Sequence, residues 1–134
     1  MERMEAAKLV VDTVSDLMNA SVESEKEKYV IRKSREIEIH EKTVCFNCKL
    51  ELDISFEFLE EDGLAFNKAE ILLLPEEFPI FSLSLREHHV PFPSVFRQWQ
   101  VVNPNIIGIY LESIEPPENF AARLSGALNV LEQM

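Results

Sequence analysis

The segment VCFNCKLELDISFEF, which runs from Val44 to Phe58, carries the clearest structural pattern in the chain. Every second residue is apolar or cysteine, and the residues between them are mostly charged or polar. A two-residue period is typical of a β-strand, whose side chains point alternately to opposite faces of a sheet. The segment therefore predicts a strand in an antiparallel sheet with one buried and one solvated face. Its length also predicts a bulge or bend that divides it.

The residues before this strand predict a helix and then a further strand. A stripe with spacings of three and four indicates an amphipathic helix over residues 2 to about 20, because that spacing follows the helical repeat. The stripe consists of Leu9, Val10, Val14, Leu17 and Met18. Ser21–Lys28 is highly charged, and we interpret it as a solvated helix end or linker rather than a coiled-coil segment. Ile37 and Ile39 then alternate with charged residues, as in a strand.

The residues after the central strand predict a turn and two more strands. Residues 60–63 read EEDG, and Gly63 is free to adopt a positive φ in a turn. Ala69–Leu74 is interpreted as a strand covered on both faces, and it ends at Pro75. Ile80–Leu85 alternates again, which predicts a strand with Phe81, Leu83 and Leu85 pointing inward.

The last third of the chain predicts a strand and a closing helix. Pro91 and Pro93 favour an extended segment. Residues 94–102 follow as a strand, with a short helix as the alternative. After Pro116 and Pro117 a helical stripe returns at Phe120, Leu124, Leu128 and Leu131. The predicted fold is therefore α+β: an N-terminal helix, an antiparallel meander of about four strands, and a C-terminal helix packed on the sheet.

Composition narrows the classes of function. A chain of 134 residues suits one domain. Its net charge of −11 argues against nucleic acid as a partner, because affinity for phosphates comes from clustered Lys and Arg. The two cysteines are too close in sequence to staple distant elements. No apolar run approaches the length of a membrane span, and the N-terminus lacks a signal-peptide pattern. We therefore expect a nuclear or cytoplasmic protein that binds neither nucleic acid nor membrane.

A proline-rich segment, PFPSVFRQWQVVNPNIIGIYLESI, covers residues 91–114. Its Asn-Pro-Asn-Ile and Gly-Ile-Tyr-Leu runs resemble the His-Pro-Asn turn and the Gly-x-Ile-Cys-Leu segment of ubiquitin-conjugating domains. In that alignment Asn103 replaces the histidine and Asn105 matches the asparagine. Tyr110 falls closest to the cysteine that carries ubiquitin. A phenol cannot serve as the acyl-carrying thiolate. The resemblance is therefore to the inactive branch of the superfamily, the ubiquitin E2 variants and RWD domains.

That resemblance implies a function without catalysis. E2-variant and RWD domains act as scaffolds or subunits of complexes in the ubiquitin pathway, DNA repair or the kinetochore. The expected partners are one or more proteins, among them ubiquitin or a component of its pathway, in a homo- or hetero-oligomer. The resemblance implies a helix and charged linker over residues 1–28, followed by the E2-variant-like domain over residues 29–134 of one compact unit. Asn103, Asn105 and Tyr110 would form a pseudo-active site.

Two alternatives to this function remain open at the sequence level. One is a divergent ubiquitin-conjugating enzyme that uses Cys45 or Cys48, although both lie far upstream of the expected position. The other is an acidic, dimeric secretion-type chaperone built from helices on a sheet. For any protein partner, the aromatic residues Phe92, Trp99 and Tyr110 are the candidate contacts, because aromatic side chains dominate binding energy at interfaces.

The remaining reactive residues favour no site. Cys45 and Cys48 have the spacing of zinc ligands, but residues three apart on a strand point to opposite faces, so we predict no metal. His88 and His89 have no nucleophile beside them in sequence and suit a solvated loop. The acidic pairs at 60–61 and 76–77 suit hydrated turns. No cofactor-binding motif appears, and we expect no cofactor.

Overall fold

The computed structural model describes residues 2–26, 28–41, 44–59, 63–86, 95–101 and 106–132. The described part of the chain contains three helices and six strands. In chain order these are α1 (Glu2–Met18), β1 (Glu23–Glu25), β2 (Lys28–Glu41), β3 (Val44–Phe58), β4 (Ala65–Leu73), α2 (Phe78–Arg86), β5 (Val95–Val101), β6 (Ile106–Glu115) and α3 (Pro117–Glu132).

All six strands form one sheet in the order β1-β2-β3-β4-β6-β5, and every neighbouring pair is antiparallel. The β2–β3 hairpin pairs without a break from Tyr29 opposite Phe56 to Glu41 opposite Val44. The predicted bulge or bend in β3 is therefore wrong. Continuous pairing with β2, which is only one residue shorter, lets a strand of this length stay intact.

The three helices cover one face of this sheet. The helix α3 lies between α1 and α2, and it also contacts β4 and β6. The alternation of the sequence decides which strand residues face the helices, and those residues form the core with one stripe from each helix. Strand residues of this core include Leu52, Ile54, Phe56, Ala69, Ile71, Ile109 and Leu111, and helix residues include Val14, Met18, Phe81, Leu85, Phe120, Leu124 and Leu131.

Local chemistry fixes where α1 ends. Asn19 takes a φ of 52°, the left-handed conformation that often stops a helix and that asparagine tolerates well. The Lys33 ammonium on β2 then donates a hydrogen bond of 2.8 Å to the carbonyl of Met18. A positive charge at the carbonyl end of a helix is favourable. The Ser125 hydroxyl on α3 donates to the carbonyl of Leu17 at 2.7 Å. The end of α1 is thus held by both the sheet and α3.

The fold class predicted from the sequence is confirmed, with an N-terminal helix, an antiparallel sheet and a C-terminal helix packed over it. The sheet is larger than the predicted meander, because it has six strands among the described residues rather than about four. The short strand β1 lies inside the segment that was interpreted as a solvated end or linker. The predicted turn conformation of Gly63 is confirmed by its φ of 85°.

Two predicted strands are corrected by the structure. Residues Ile80–Leu85 belong to the helix α2, in which Phe81 and Leu85 are buried and Leu83 is 61% exposed. Phe81 and Leu85 are four residues apart and therefore share one face of the helix, whereas Leu83 lies on the other side and faces solvent. Ala69–Leu74 was interpreted as covered on both faces, but β4 buries one face only, and Glu70 on the other face is exposed.

Candidate functional site

The second face of the sheet carries no helix in the part of the chain that the structure describes, and we call it the open face. It presents the residues of each strand that alternate with the core residues. Toward β2 and β3 these are mainly charged side chains. Toward β5 and β6 they include Arg97, Trp99 and Tyr110, which we call the β5 edge patch. This patch is the candidate functional site.

Trp99 is held at the edge of the sheet by a glycine on the neighbouring strand. Trp99 pairs with Gly108 across β5 and β6, and its indole ring lies over that glycine. A Cβ atom at Gly108 would overlap the ring, so only glycine allows this close approach. The side chain is nevertheless 40% exposed. The indole is therefore fixed in position while one side of it faces solvent.

Arg97 and Tyr110 form the other half of the patch. They are paired across β5 and β6, and the Arg97 guanidinium carbon lies 5.8 Å from the centre of the Tyr110 ring. That distance is within the range of a cation–π interaction. The Tyr110 hydroxyl donates a hydrogen bond of 2.6 Å to a Glu112 carboxylate oxygen. Because Trp99 is diagonal to Tyr110 in this register, the three patch side chains are neighbours on one face.

The ionisation of Tyr110 follows from these contacts. The hydrogen bond to Glu112 raises the pKa of Tyr110, and burial and the Glu112 charge add to the effect, so the pKa is about 12. Arg97 acts in the opposite direction with a smaller effect. The phenol is therefore neutral at physiological pH and acts as a hydrogen-bond donor. It is poorly suited to act as a base or a nucleophile.

The centre of the open face beside this patch is shallow and carries both charges. Tyr110 lies opposite Glu70, which lies opposite Asp53, which lies opposite Arg32. These side chains, with Lys68 and others, line a depression of about 180 Å³. Arg32 is also ion-paired with β1 glutamates. Because acids and bases are mixed, the depression favours binding of neither an anion nor a cation. We therefore regard it as the charged border of the patch and not as a separate ligand site.

A partly buried ion pair joins β2 to the turn before α2. Arg35 donates to both carboxylate oxygens of Glu77 at 2.9 and 3.0 Å. The backbone N–H of Leu74 also donates to Glu77 at 2.9 Å. Burial alone raises the pKa of Glu77, but the hydrogen bonds from Arg35 and Leu74 and the Arg35 charge together hold it below the ordinary value. Glu77 is 8% exposed, so its interpretation as a hydrated turn residue is wrong.

A second buried polar network lies between the sheet and α3. Arg123 is 1% exposed and forms an ion pair with Glu115, and the Ser113 hydroxyl donates to the same carboxylate. Burial lowers the pKa of Arg123. The Asn67 amide donates to the carbonyls of Ser113 and Glu115 at 3.1 and 3.0 Å. This network anchors α3 and fixes the pairing of β4 with β6, so its role is structural.

The structure places the residues singled out from the sequence in different regions. Trp99 and Tyr110 come together in the patch. Phe92, Asn103 and Asn105 lie outside the described residues, as do the histidine pair at 88–89 and the acidic pair at 60–61. Cys45 and Cys48 are strand positions of β3, three apart. Within the described ranges, no group of three His, Cys, Asp or Glu side chains could hold a metal ion.

Sequence reasoning missed Arg97, Glu77 and Arg123 as residues with specific partners. Arg97 lies between Val95 and Trp99 in the sequence, and only the pairing of β5 with β6 brings it to Tyr110. Glu77 and Arg123 carry one weak signal in the sequence. Each is a charged residue next to positions of an apolar stripe, in Phe78–Phe81 and in Phe120–Leu124.

Comparison with known proteins gives one match. The chain belongs to the family described as Domain of Unknown Function (DUF1259), whose model matches residues 12–130. No curated protein matches the chain. No solved structure matches it either. Among the described helices, none is both long and apolar enough to cross a membrane.

This family assignment corrects the resemblance to E2-variant and RWD domains, which is wrong. The function inferred from that resemblance, a scaffold of the ubiquitin, DNA-repair or kinetochore type, falls with it. The family match supports neither the alternative of a divergent conjugating enzyme nor that of a secretion-type chaperone. Tyr110 also loses its assignment as a stand-in for a cysteine. The resemblance rested on two short runs, Asn-Pro-Asn and Gly-Ile-Tyr-Leu. The second run is part of a ten-residue strand, β6.

Proposed function

We propose that this protein binds other protein chains through the β5 edge patch and catalyses no reaction there. The single observation that carries the proposal is the exposed indole of Trp99, fixed over Gly108. Tryptophan, tyrosine and arginine are the residues most often found to dominate binding energy at protein interfaces. The patch contains one of each.

The backbone of the edge strand supports the same proposal. In the described part of the sheet, β5 pairs with β6 on one side and with no strand on the other. Such an edge exposes unpaired N–H and C=O groups that can hydrogen-bond a further strand. Its four central side chains, Arg97 to Gln100, are all exposed. A partner chain could therefore gain main-chain hydrogen bonds from the edge and side-chain contacts from the patch.

The chemistry of the patch favours binding over catalysis. The Tyr110 hydroxyl donates a hydrogen bond to Glu112, and its pKa of about 12 keeps the phenol protonated at neutral pH. Arg97 offers a guanidinium group with five N–H donors and no acceptor. Trp99 offers an apolar ring and one N–H donor. These groups suit contact with a partner surface better than the transfer of a proton or an acyl group.

Site-specific photo-crosslinking in the native source tests this proposal. A photoreactive phenylalanine at Gln100, which follows Trp99 on the edge strand but points to the other face of the sheet, leaves the patch intact and is expected to form covalent adducts with a partner protein that pairs with this edge. The matched control is the same residue at Glu36, which is exposed on the open face of β2. Adducts at position 100 should also weaken when Trp99 is replaced by Ser. Equal adducts at both positions, or adducts insensitive to Trp99→Ser, would contradict the proposal.

A further inference from the structure

We propose that the partner of the β5 edge patch is a second copy of this chain, joined by antiparallel pairing of the two β5 strands. This inference rests on the proposed function, since it names the partner of the same surface. The two strands would be related by a two-fold axis through Gln98. Such a contact uses the same surface on both copies, as in most symmetric dimers.

The edge formed by β5 lacks the features that usually prevent such pairing. Protected edges carry lysine, proline, a bulge or a very short strand. The strand Val95–Val101 reads VFRQWQV, which contains one charge and no proline or lysine. It pairs with β6 without a break over all seven residues, so no bulge turns the edge away. It is therefore a long, regular and weakly charged edge.

The sequence of the strand is complementary to itself. In an antiparallel pair centred on Gln98, Arg97 lies opposite Trp99 of the second copy, and Trp99 lies opposite Arg97 of the second copy. Residues opposite each other in an antiparallel pair share a face, so both contacts lie on the open face. Arginine beside the face of tryptophan is a favourable cation–π pair. The symmetry makes this contact twice.

The contacts within each copy prepare this arrangement. Arg97 already lies against the Tyr110 ring, and Trp99 lies against Gly108. Across the junction the open face would carry the row Tyr110, Arg97, Trp99 and Gly108, with the last two from the second copy. The two-fold axis generates the same row in the opposite direction. Each guanidinium would then lie between two aromatic rings.

Other registers pair the strand less well. Shifting the centre to Arg97 places the two Arg97 side chains opposite each other, where like charges repel. Shifting it to Trp99 leaves Arg97 opposite a valine. Either shift also reduces the overlap of the seven-residue strands to five residues. Only the register centred on Gln98 gives every residue of β5 an opposite residue. It also places each Arg97 opposite an aromatic ring.

Sedimentation velocity of the purified chain over a dilution series tests the inference. We expect dimers that dissociate on dilution, because a single strand pair is at the small end of stable interfaces. Trp99 is the only tryptophan, so its fluorescence should shift to the blue with rising concentration. A chain that stays monomeric at the highest concentration, with unchanged emission, overturns the inference.

Charge substitutions at position 99 test the register. Trp99→Glu places a carboxylate opposite Arg97 of the second copy, and Trp99→Arg places a like charge there. Both variants lose the indole, so each controls for the other. We expect Trp99→Arg to dimerise at least about tenfold more weakly than Trp99→Glu, since two opposite pairs become two like pairs. The double variant Arg97→Glu with Trp99→Arg should recover the strength of Trp99→Glu.

Net charge predicts the reverse order, which makes this comparison decisive. The chain carries a net charge of −11, so Trp99→Glu increases the repulsion between copies and Trp99→Arg reduces it. Equal dimerisation of the two variants, or stronger dimerisation of Trp99→Arg, overturns the inference. Thermal melting shows whether each variant is folded. If neither folds, the dilution series of the native chain decides.

The crosslinking experiment separates this inference from the proposed function. With the photoreactive residue at Gln100, adducts of the purified chain with itself support the second copy as partner. If the purified chain is monomeric and position 100 captures only other proteins in the native source, self-pairing is overturned while the proposed function stands. The absence of any adduct at this position, from either sample, overturns both.

Discussion

Replacing Glu77 by Gln tests how strongly its partly buried ion pair with Arg35 stabilises the fold. The pair joins β2 to the turn before α2, and the two residues are 42 positions apart in the chain. The Glu77 side chain is 10% exposed and the Arg35 side chain 33% exposed. Glutamine keeps an oxygen for the N–H of Leu74, but it replaces one acceptor for Arg35 with a donor. The substitution therefore removes the charge and one of the two guanidinium contacts.

The expected loss lies between the values for buried and exposed pairs. Breaking a fully buried pair costs about 3–5 kcal/mol, and an exposed pair contributes about 0–1 kcal/mol. Because Arg35 keeps contact with solvent, we expect Glu77→Gln to lower the free energy of unfolding by about 2–3 kcal/mol at pH 7. The matched control is Glu76→Gln in the same turn, where the side chain is exposed. It should change the stability by less than about 0.5 kcal/mol.

The pH dependence has a definite sign. Burial raises the pKa of Glu77, but Arg35 and the Leu74 N–H outweigh it and lower the pKa below the ordinary 4.5. A carboxyl whose pKa is lowered by folding stabilises the protein above the unfolded pKa, and this stabilisation is lost as the pH falls through the folded pKa. The difference between the native chain and Glu77→Gln should therefore be full at pH 7 and shrink below about pH 4.

Urea denaturation at several pH values measures this difference without the added ionic strength of guanidinium. A double-mutant cycle with Arg35→Met isolates the pair from other effects of each substitution. Three results would refute the reasoning. These are a loss at pH 7 below about 0.5 kcal/mol, a loss equal to that of Glu76→Gln, or a difference that persists unchanged at pH 3.

Two further predictions concern the β5 edge patch. Gly108→Ala places a Cβ where the Trp99 indole lies, so we expect the free energy of unfolding to fall by about 1–3 kcal/mol and the tryptophan emission to change. Unchanged emission would contradict the described packing. In a Tyr29→Phe background, the absorbance titration of Tyr110 should give a pKa near 12, and Glu112→Gln should lower it toward 10.0, because the charged acceptor is removed. A pKa near 10.0 before Glu112 is changed would show that the hydrogen bond does not form.

Long periodic segments made part of the fold predictable from the sequence. The elements α1, β3 and α3 are 17, 15 and 16 residues long, and each forms where its stripe or alternation predicts it. In these segments the period decides the buried face without help from the rest of the chain. Leu50, Leu52, Ile54 and Phe56 are accordingly all buried.

In short segments the sequence pattern fits both a helix and a strand, as α2 shows. Phe78, Phe81 and Leu85 fit a helical spacing, whereas Phe81, Leu83 and Leu85 fit a strand. Both patterns fit within the nine residues of FPIFSLSLR. Packing against α3 selects the helix, and nothing local to the segment reveals that contact.

The strand β6 was not recognised in the sequence, because two of its buried positions hold polar residues. Ile109 and Leu111 face the core, but the next two positions of the same face hold Ser113 and Glu115. These two residues are buried because Arg123 of α3 and Asn67 of β4 provide their partners. A search for alternating apolar residues therefore loses the strand halfway. Tertiary contacts between distant residues, rather than any local preference, decide this part of the sheet.

The candidate site was predictable only in part for the same reason. Trp99 and Tyr110 stand out by residue type, since exposed aromatic residues are the usual anchors of interfaces. Their arrangement depends on the register of β5 against β6, which sets Arg97 beside Tyr110 and Trp99 over Gly108. The register of β5 against β6 depends on the pairing of the whole sheet, so no local sequence motif predicts it.

The two edges of the sheet differ in a way that bears on how copies would assemble. The edge opposite β5 is β1, which has only three residues, Glu23, Ser24 and Glu25. Its shortness and two like charges are features that prevent strand addition. Beyond β1, residues 31–41 of β2 also pair with no strand on that side among the described residues, and six of them are charged, which discourages strand addition there as well. Pairing through β5 would therefore use the long, weakly charged edge of each copy and leave the charged β1–β2 edge outside. Such an assembly closes at two copies instead of growing into a fibre, because a contact that uses the same surface on both partners leaves no free copy of it.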